Sequence, residues 1–148
     1  MSLTKKQKLL NKKERKLKTK GYQERLKKKL FKKAWELQKQ RLRKRANFQD
    51  LIECYTCYKL IPVKESQCGH FWHGKLDLDL RNIKIQCSGC NLFKHGNLTT
   101  YASRLIREHG QEWFLELDRD ASRDRGYTIE QLQEIIKKYA PRRGRIKT

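Results

Sequence analysis

Two cysteine pairs, Cys54-x-x-Cys57 and Cys87-x-x-Cys90, constrain this chain more than any other feature. At that spacing one tight turn aims both sulfurs at a single ion, and two such turns supply the four thiolates of a tetrahedral zinc site. The chain has little else from which to build a core. Only 36% of its residues are hydrophobic and its mean hydropathy is -0.98, so a small fold here needs a metal staple. Reduced structural thiols without metal are the alternative, and two matched pairs in a chain expected to be cytosolic favour the ion. The fifth cysteine, Cys68, has no matching partner and reads as a small buried strand residue, with substitution into the zinc shell as the other reading. No run approaches the ~18 apolar residues of a spanning helix, and residues 1–16 lack the apolar centre of a secretory signal. The expectation is a soluble, cytoplasmic protein with no membrane partner.

The charge is lopsided. The 148 residues carry a net +21; residues 1–50 hold 20 basic and 4 acidic side chains, and the remainder hold 17 and 12. A polyanionic partner follows, with residues 1–50 as a basic helical DNA-binding arm on a nearly balanced folded unit. The length excludes two full enzyme domains. The arm is rich in helix formers and interrupted at Gly21, which predicts two helices. In the first, Leu3, Leu10 and Leu17 recur every seventh residue, half of what a coiled coil requires. In the second, Leu26, Leu30, Ala34 and Leu37, beside Phe31, Trp35 and Leu42, form an apolar stripe that needs something to dock on. Lysines fill the other faces, Lys27, Lys28, Lys29, Lys32 and Lys33 among them.

After Leu51 the pattern changes. Strand-like segments are predicted at Lys59–Val63, Gln67–Phe71 and Ile83–Gln86. A helix is expected from Cys90 to near Gly96, a second over Leu98–Glu108 with Leu98, Tyr101, Leu105 and Ile106 on one side, and a third from Gln111 to about Asp118. Arg119–Gly126 reads as a loop. Thr128 and Gln131 form a capping box ahead of the stripe Ile129, Leu132, Ile135, Ile136 and Tyr139, which Pro141 ends. Residues 142–148 are a basic tail.

A plain zinc ribbon needs nothing beyond the cysteines, yet Gly69–His70 falls between the pairs, Asn82 sits in Arg-Asn-Ile, and Asn91 follows Cys90 directly. With Cys-Tyr-Thr-Cys, Gly-His-Phe, Arg-Asn-Ile-Lys-Ile-Gln-Cys, Cys-Asn, Gly-Asn-Leu and Tyr-Thr-Ile-Glu in this order, the stretch from Cys54 to Tyr139 resembles the phage NinG (Rap) recombination endonucleases. Those are zinc-stapled relatives of HNH, or ββα-metal, nucleases of the endonuclease VII kind. The resemblance implies an α+β fold: a small zinc-bound ββα core over residues 51–98, between the basic arm and a C-terminal helical extension over 99–148. It implies a metal-dependent endonuclease acting on branched DNA such as Holliday junctions in phage recombination, placed in the host cytoplasm if phage-encoded.

On that reading His70 is the strand histidine that takes a proton from water, since an imidazole titrates near ~6.5. Asn82 is the middle residue of the motif and braces the loop that orients His70. Asn91 and His95, four apart, share a helix face and with His70 hold a catalytic magnesium or manganese ion. Each has a plainer rival: a structural histidine for His70, a turn asparagine for Asn82, a helix cap for Asn91, and a helix-end cation for His95. His73 reads as a surface or phosphate-contacting histidine and His109 as a cap neighbour. Relatives carry an acidic or histidine ligand just before the catalytic histidine, or Asp three residues before it. Gly69 and Gln67 stand there here, leaving Asp77 or Asp79 to supply a carboxylate. Two other function classes use the same residues differently, namely a non-catalytic zinc-ribbon nucleic-acid binder and a sequence-specific HNH nuclease of homing or packaging type. Symmetric cutting of a junction requires two active sites, so a homodimer is the expectation for that substrate.

Overall fold

The computed structural model describes residues 4–17 and 19–141; Leu3 and the basic tail over 142–148 lie outside the described residues. Two helices form the arm, α1 over Lys5–Leu17 and α2 over Lys20–Arg43. The break comes before Gly21. The carbonyl of Thr19 accepts from the N–H groups of Tyr22 and Gln23 and so opens α2, leaving Gly21 inside its first turn, where helix interruption costs little. Of the heptad leucines, Leu10 and Leu17 are solvent-exposed.

The chain divides into two compact units, one of residues 1–34 with 127–148 and one of residues 35–126. In the first, Phe31 and Tyr127 meet with ring centroids 6.3 Å apart. Helix α5, Ile129–Tyr139, opens on the expected capping box: the Thr128 hydroxyl accepts from Gln131 N–H, and the Gln131 side chain accepts from Thr128 N–H. Leu132 is fully buried on its inner stripe.

Among the described residues, all the strands lie in the second unit. Hairpin β1 (Leu51–Glu53) and β2 (Leu60–Pro62) pair antiparallel with Ile52 opposite Ile61. A separate hairpin pairs β3 (Gln67–His70) with β4 (Ile83–Gln86), setting Gly69 opposite Lys84 and His70 opposite Ile83. β1 escaped the sequence reading because three residues are too few to show alternation. A one-turn π-type helix follows over Gly89–Phe93, then α3 (Leu98–His109) and α4 (Gln111–Arg123). The expected loop at Arg119–Gly126 is therefore mostly helix. Leu117 and Ala121, four apart, are both buried, and Asp120 pairs with Arg81 at 2.8 Å, so the polar sequence stays wound to Arg123. On α3 the core takes Tyr101 and Leu105, while Leu98 and Ile106 remain exposed.

Two apolar clusters fill this unit. Tyr55, Phe71, Tyr101, Leu105 and Leu117 make one; Leu42, Ile52, Ile83 and Ile85 make the other, with Trp35, Ile61, Val63 and Cys68 packed around it. Cys68 thus serves as a small packing residue in β3, as read from sequence, and burial pushes its thiol pKa up. Among the described residues no helix is long and apolar enough to cross a membrane. The arm predicted to end at Asp50 contributes Trp35 and Leu42 from the end of α2 to the strand cluster.

Deleting these two side chains from a core this small removes several kcal/mol, since a buried Leu or Trp lost to a cavity costs about 2–5 kcal/mol. A fragment of residues 51–148 is therefore expected to lose its cooperative melting transition, and one starting near Gly21 to keep it, as followed by calorimetry. Equal transitions in both fragments would show that α2 is not part of the core.

Candidate metal centre and flanking histidine

The sulfurs of Cys54, Cys57, Cys87 and Cys90 all lie within 4.8 Å of one another. Cys57 Sγ and Cys87 Sγ are 3.7 Å apart, close to the ~3.8 Å edge of a sulfur tetrahedron built on ~2.3 Å zinc–sulfur bonds. The first pair sits on the turn after β1, closed by the Tyr58 N–H to the Cys54 carbonyl. The second pair brackets the start of the π-type turn. Tyr55 N–H donates to the Ile85 carbonyl at 2.7 Å, which fastens the first turn to β4. Backbone N–H groups point at the sulfurs: Cys87 N–H to Cys54 Sγ at 3.3 Å and Cys90 N–H to Cys87 Sγ at 3.4 Å. Burial works to raise the Cys54 thiol, but N–H groups of Cys87, Cys57 and Thr56 and the Thr56 hydroxyl overcome it and bring its pKa down to about 6. Burial and the crowded neighbouring sulfurs push Cys57 up to about 12 and raise Cys87. Four thiols this close resist ionising together unless a cation sits among them, so the donor set fits a thiophilic ion.

His70 ends β3, partly buried, and its ring is fixed on two sides. Its Nε2 lies 3.0 Å from the carbonyl oxygen of Asp77, and Trp35 stacks on it at 5.1 Å with planes 24° apart. A carbonyl only accepts, so Nε2 is the donor in this contact, and in a neutral ring that leaves the lone pair on Nδ1. Asn82 explains how Asp77 is placed. Fully buried, it accepts from Trp72 N–H at 2.7 Å and donates Nδ2 to the carbonyls of Trp72, Lys75 and Leu76 at 3.1, 2.9 and 3.3 Å. These bonds hold the loop that presents the Asp77 carbonyl to His70. The buried Tyr101 hydroxyl donates to the carbonyls of Asn82 and Gly69, fixing the hairpin from the α3 side.

Asn91 is joined to the same hairpin, its Nδ2 donating to Gln67 Oε1 at 2.7 Å. Gly69 makes this approach sterically feasible, since a Cβ there would lie 1.9 Å from Gln86 Oε1 and 2.8 Å from Asn91 Oδ1. The helix face expected to align Asn91 with His95 does not form. The turn closes at Phe93 in a Schellman motif: Gly96 N–H bonds the Asn91 carbonyl and His95 N–H the Leu92 carbonyl. His95 takes the left-handed position at φ 49° and is exposed; the end expected near Gly96 falls two to three residues earlier, at Phe93, because a non-glycine residue fills a position that glycine most often takes. His73 is exposed, its Nε2 near Gly96. Asp79 is held by Arg81 at 2.7 Å, and Asp77 acts through its backbone. His109 closes α3 and stacks on Trp113 at 4.2 Å.

Among the described residues the four cysteines are the only group of three or more His, Cys, Asp or Glu placed to hold a metal. The magnesium or manganese ion implied by resemblance therefore has no preformed carboxylate–histidine cage here. Trp35 and the Asp77 carbonyl were missed from sequence as partners of His70. The tryptophan was visible as part of a stripe, whereas nothing in a sequence announces a backbone carbonyl.

Comparison with known proteins adds an independent line. The family described as bacteriophage lambda NinG protein matches residues 1–147. The chain is similar to protein ninG of Escherichia phage 933W, 35% identical over 92 residues that cover 60% of this chain and 45% of that protein. It is similar to protein ninG of Escherichia phage lambda at 34% over 92 residues, 60% and 44% respectively, and of Enterobacteria phage H19B at 43% over 61 residues, 41% and 30%. The chain thus matches less than half the length of these curated relatives. No solved structure matches the chain.

Elemental analysis is expected to find one zinc per chain. Cys87→Ser should lose both the metal and the cooperative unfolding transition, because binding energy at such a site is folding energy. Metal loading should weaken as pH falls, with protons competing for the thiolates. A metal-free protein with an unchanged transition would contradict the site.

Proposed function

The chain belongs to the bacteriophage NinG family, and from that premise we propose that it is a DNA endonuclease selective for branched DNA in phage recombination, working in the host cytoplasm. The observation that carries this reading is the state of His70: Nε2 is engaged by the Asp77 carbonyl and the ring is held by Trp35, leaving Nδ1 to accept a proton. In the proposed reaction a water gives its proton to Nδ1 while its oxygen attacks phosphorus. The bond from phosphorus to the 3′ oxygen breaks, the 3′ oxygen takes a proton from solvent, and 5′-phosphate and 3′-hydroxyl ends result. A zinc held by the four cysteines would serve structurally, keeping β4 and the turn bearing Asn91 in register. Asn82 acts as the positioning residue. The basic arm supplies backbone affinity without base readout. Two such sites in a homodimer would cut a junction symmetrically.

Besides the cysteines, no group of three or more His, Cys, Asp or Glu among the described residues is placed to hold a divalent ion. The commitment of Asp79 and Asp120 to Arg81, and of the Asn91 amide to Gln67, favours a second reading, a zinc-bound nucleic-acid binder without catalysis.

Supercoiled plasmid and a four-way junction, each incubated with magnesium, manganese or chelator, separate the two. Cleavage by the wild-type chain, with His70→Ala slowed at least ~10²-fold at nearly unchanged DNA affinity, is expected of a general base. Binding without cleavage under every metal condition would leave the non-catalytic reading, and equal cleavage by both proteins would remove His70 from the chemistry.

A further inference from the structure

The π-type turn that carries Cys90 and Asn91 also carries two side chains with no place in either core. Phe93 is 81% exposed and Leu92 55%, adjacent on one turn. The turn is held rigidly, by Cys90 in the sulfur cluster, by Asn91 on Gln67 of β3, and by the Schellman closure at Gly96. The segment that carries it holds no negative charge: no acidic residue occurs between Asp79 and Glu108, and Lys94 follows Phe93 directly.

We infer that Phe93, with Leu92 beside it, is a wedge that stacks on an unpaired or unstacked base of the bound DNA, next to the strand that bears His70. This rests on the DNA reading above and deepens it, since it gives branched DNA a contact that fully paired duplex does not offer. A base in a continuous duplex hides its face between its neighbours, whereas a branch point exposes faces that an aromatic ring can cover. Lys94, the next residue, would hold a flanking phosphate. A protein partner suits the patch poorly. A fully buried aromatic contributes about 150–250 Å², far below the ~800 Å² per partner of a stable interface, and the segment that carries it lacks acidic residues in a chain of net charge +21.

The test uses the full chain and two fluorescent DNAs, a four-way junction and a fully paired duplex of equal length, with 2-aminopurine at the junction's branch point. Phe93→Ala is expected to lose about tenfold of junction affinity, the size of one base–aromatic stack, with duplex affinity unchanged. Phe93→Trp should retain the preference, and the 2-aminopurine signal should be quenched by the wild-type chain but not by Phe93→Ala. Leu60→Ala, which removes a leucine 60% exposed on β2, should change nothing. An unchanged preference in Phe93→Ala, or equal loss on both DNAs, overturns the wedge while leaving the nuclease reading intact. Conversion of a wild-type dimer to monomer by Phe93→Ala in sedimentation also overturns it, by assigning the patch to a second copy. Failure of the wild-type chain to bind either DNA overturns both readings together.

Discussion

The four sulfurs between β1 and the π-type turn are the interaction on which the rest of this structure depends. Neither two-stranded hairpin is long enough to stand alone, and isolated hairpins are marginal in water at best. The cluster joins the turn after β1 to the end of β4, and the hydrogen bond from Tyr55 N–H to Ile85 extends that join into the strand. Everything placed near His70 is reached from there: β4 pairs with β3 and fixes His70, and the turn after Cys87 brings Asn91 against Gln67.

Buried amides do much of the work that side-chain packing does in a richer core. Asn82 holds the loop over Trp72–Leu76, and Gln86 donates Nε2 to the Thr56 hydroxyl and to the Gly96 carbonyl, touching both cysteine turns. Gln38 reaches from α2 to the Leu78 carbonyl. Each replaces apolar contact with directed bonds from its Nδ2 or Nε2 group; Asn82 also accepts through its oxygen, whereas Gln38 Oε1 and Gln86 Oε1 are buried without a hydrogen-bond partner, an arrangement that costs about 1–3 kcal/mol each.

Spacing made some of this legible in advance. The two cysteine pairs, the β4 segment at Ile83–Gln86 and the capping box at Thr128 are local patterns, and local chemistry decides them. Asn82 read as a brace because the resemblance placed it so, and its bonds have that form. What stayed hidden was non-local or unusual. Trp35 lies far from His70 in sequence, and its stripe said only that it would be buried. Arg119–Arg123 looks like loop until Ala121 and Asp120 find partners elsewhere in the unit. His95 falls in a left-handed residue that glycine more commonly occupies, so a helix drawn through it aligned Asn91 with a side chain that is turned elsewhere. The missing carboxylate before His70 has its own physical account, since Gly69 is the residue over which Gln86 and Asn91 close.

Zinc K-edge X-ray absorption on the purified full chain tests the centre most directly. The account requires a first shell of four sulfurs at ~2.3 Å, the bond length of a four-thiolate zinc site. A shell containing nitrogen or oxygen, as would follow if His73 or His95 displaced a cysteine, or a stably folded chain holding no zinc, would contradict it.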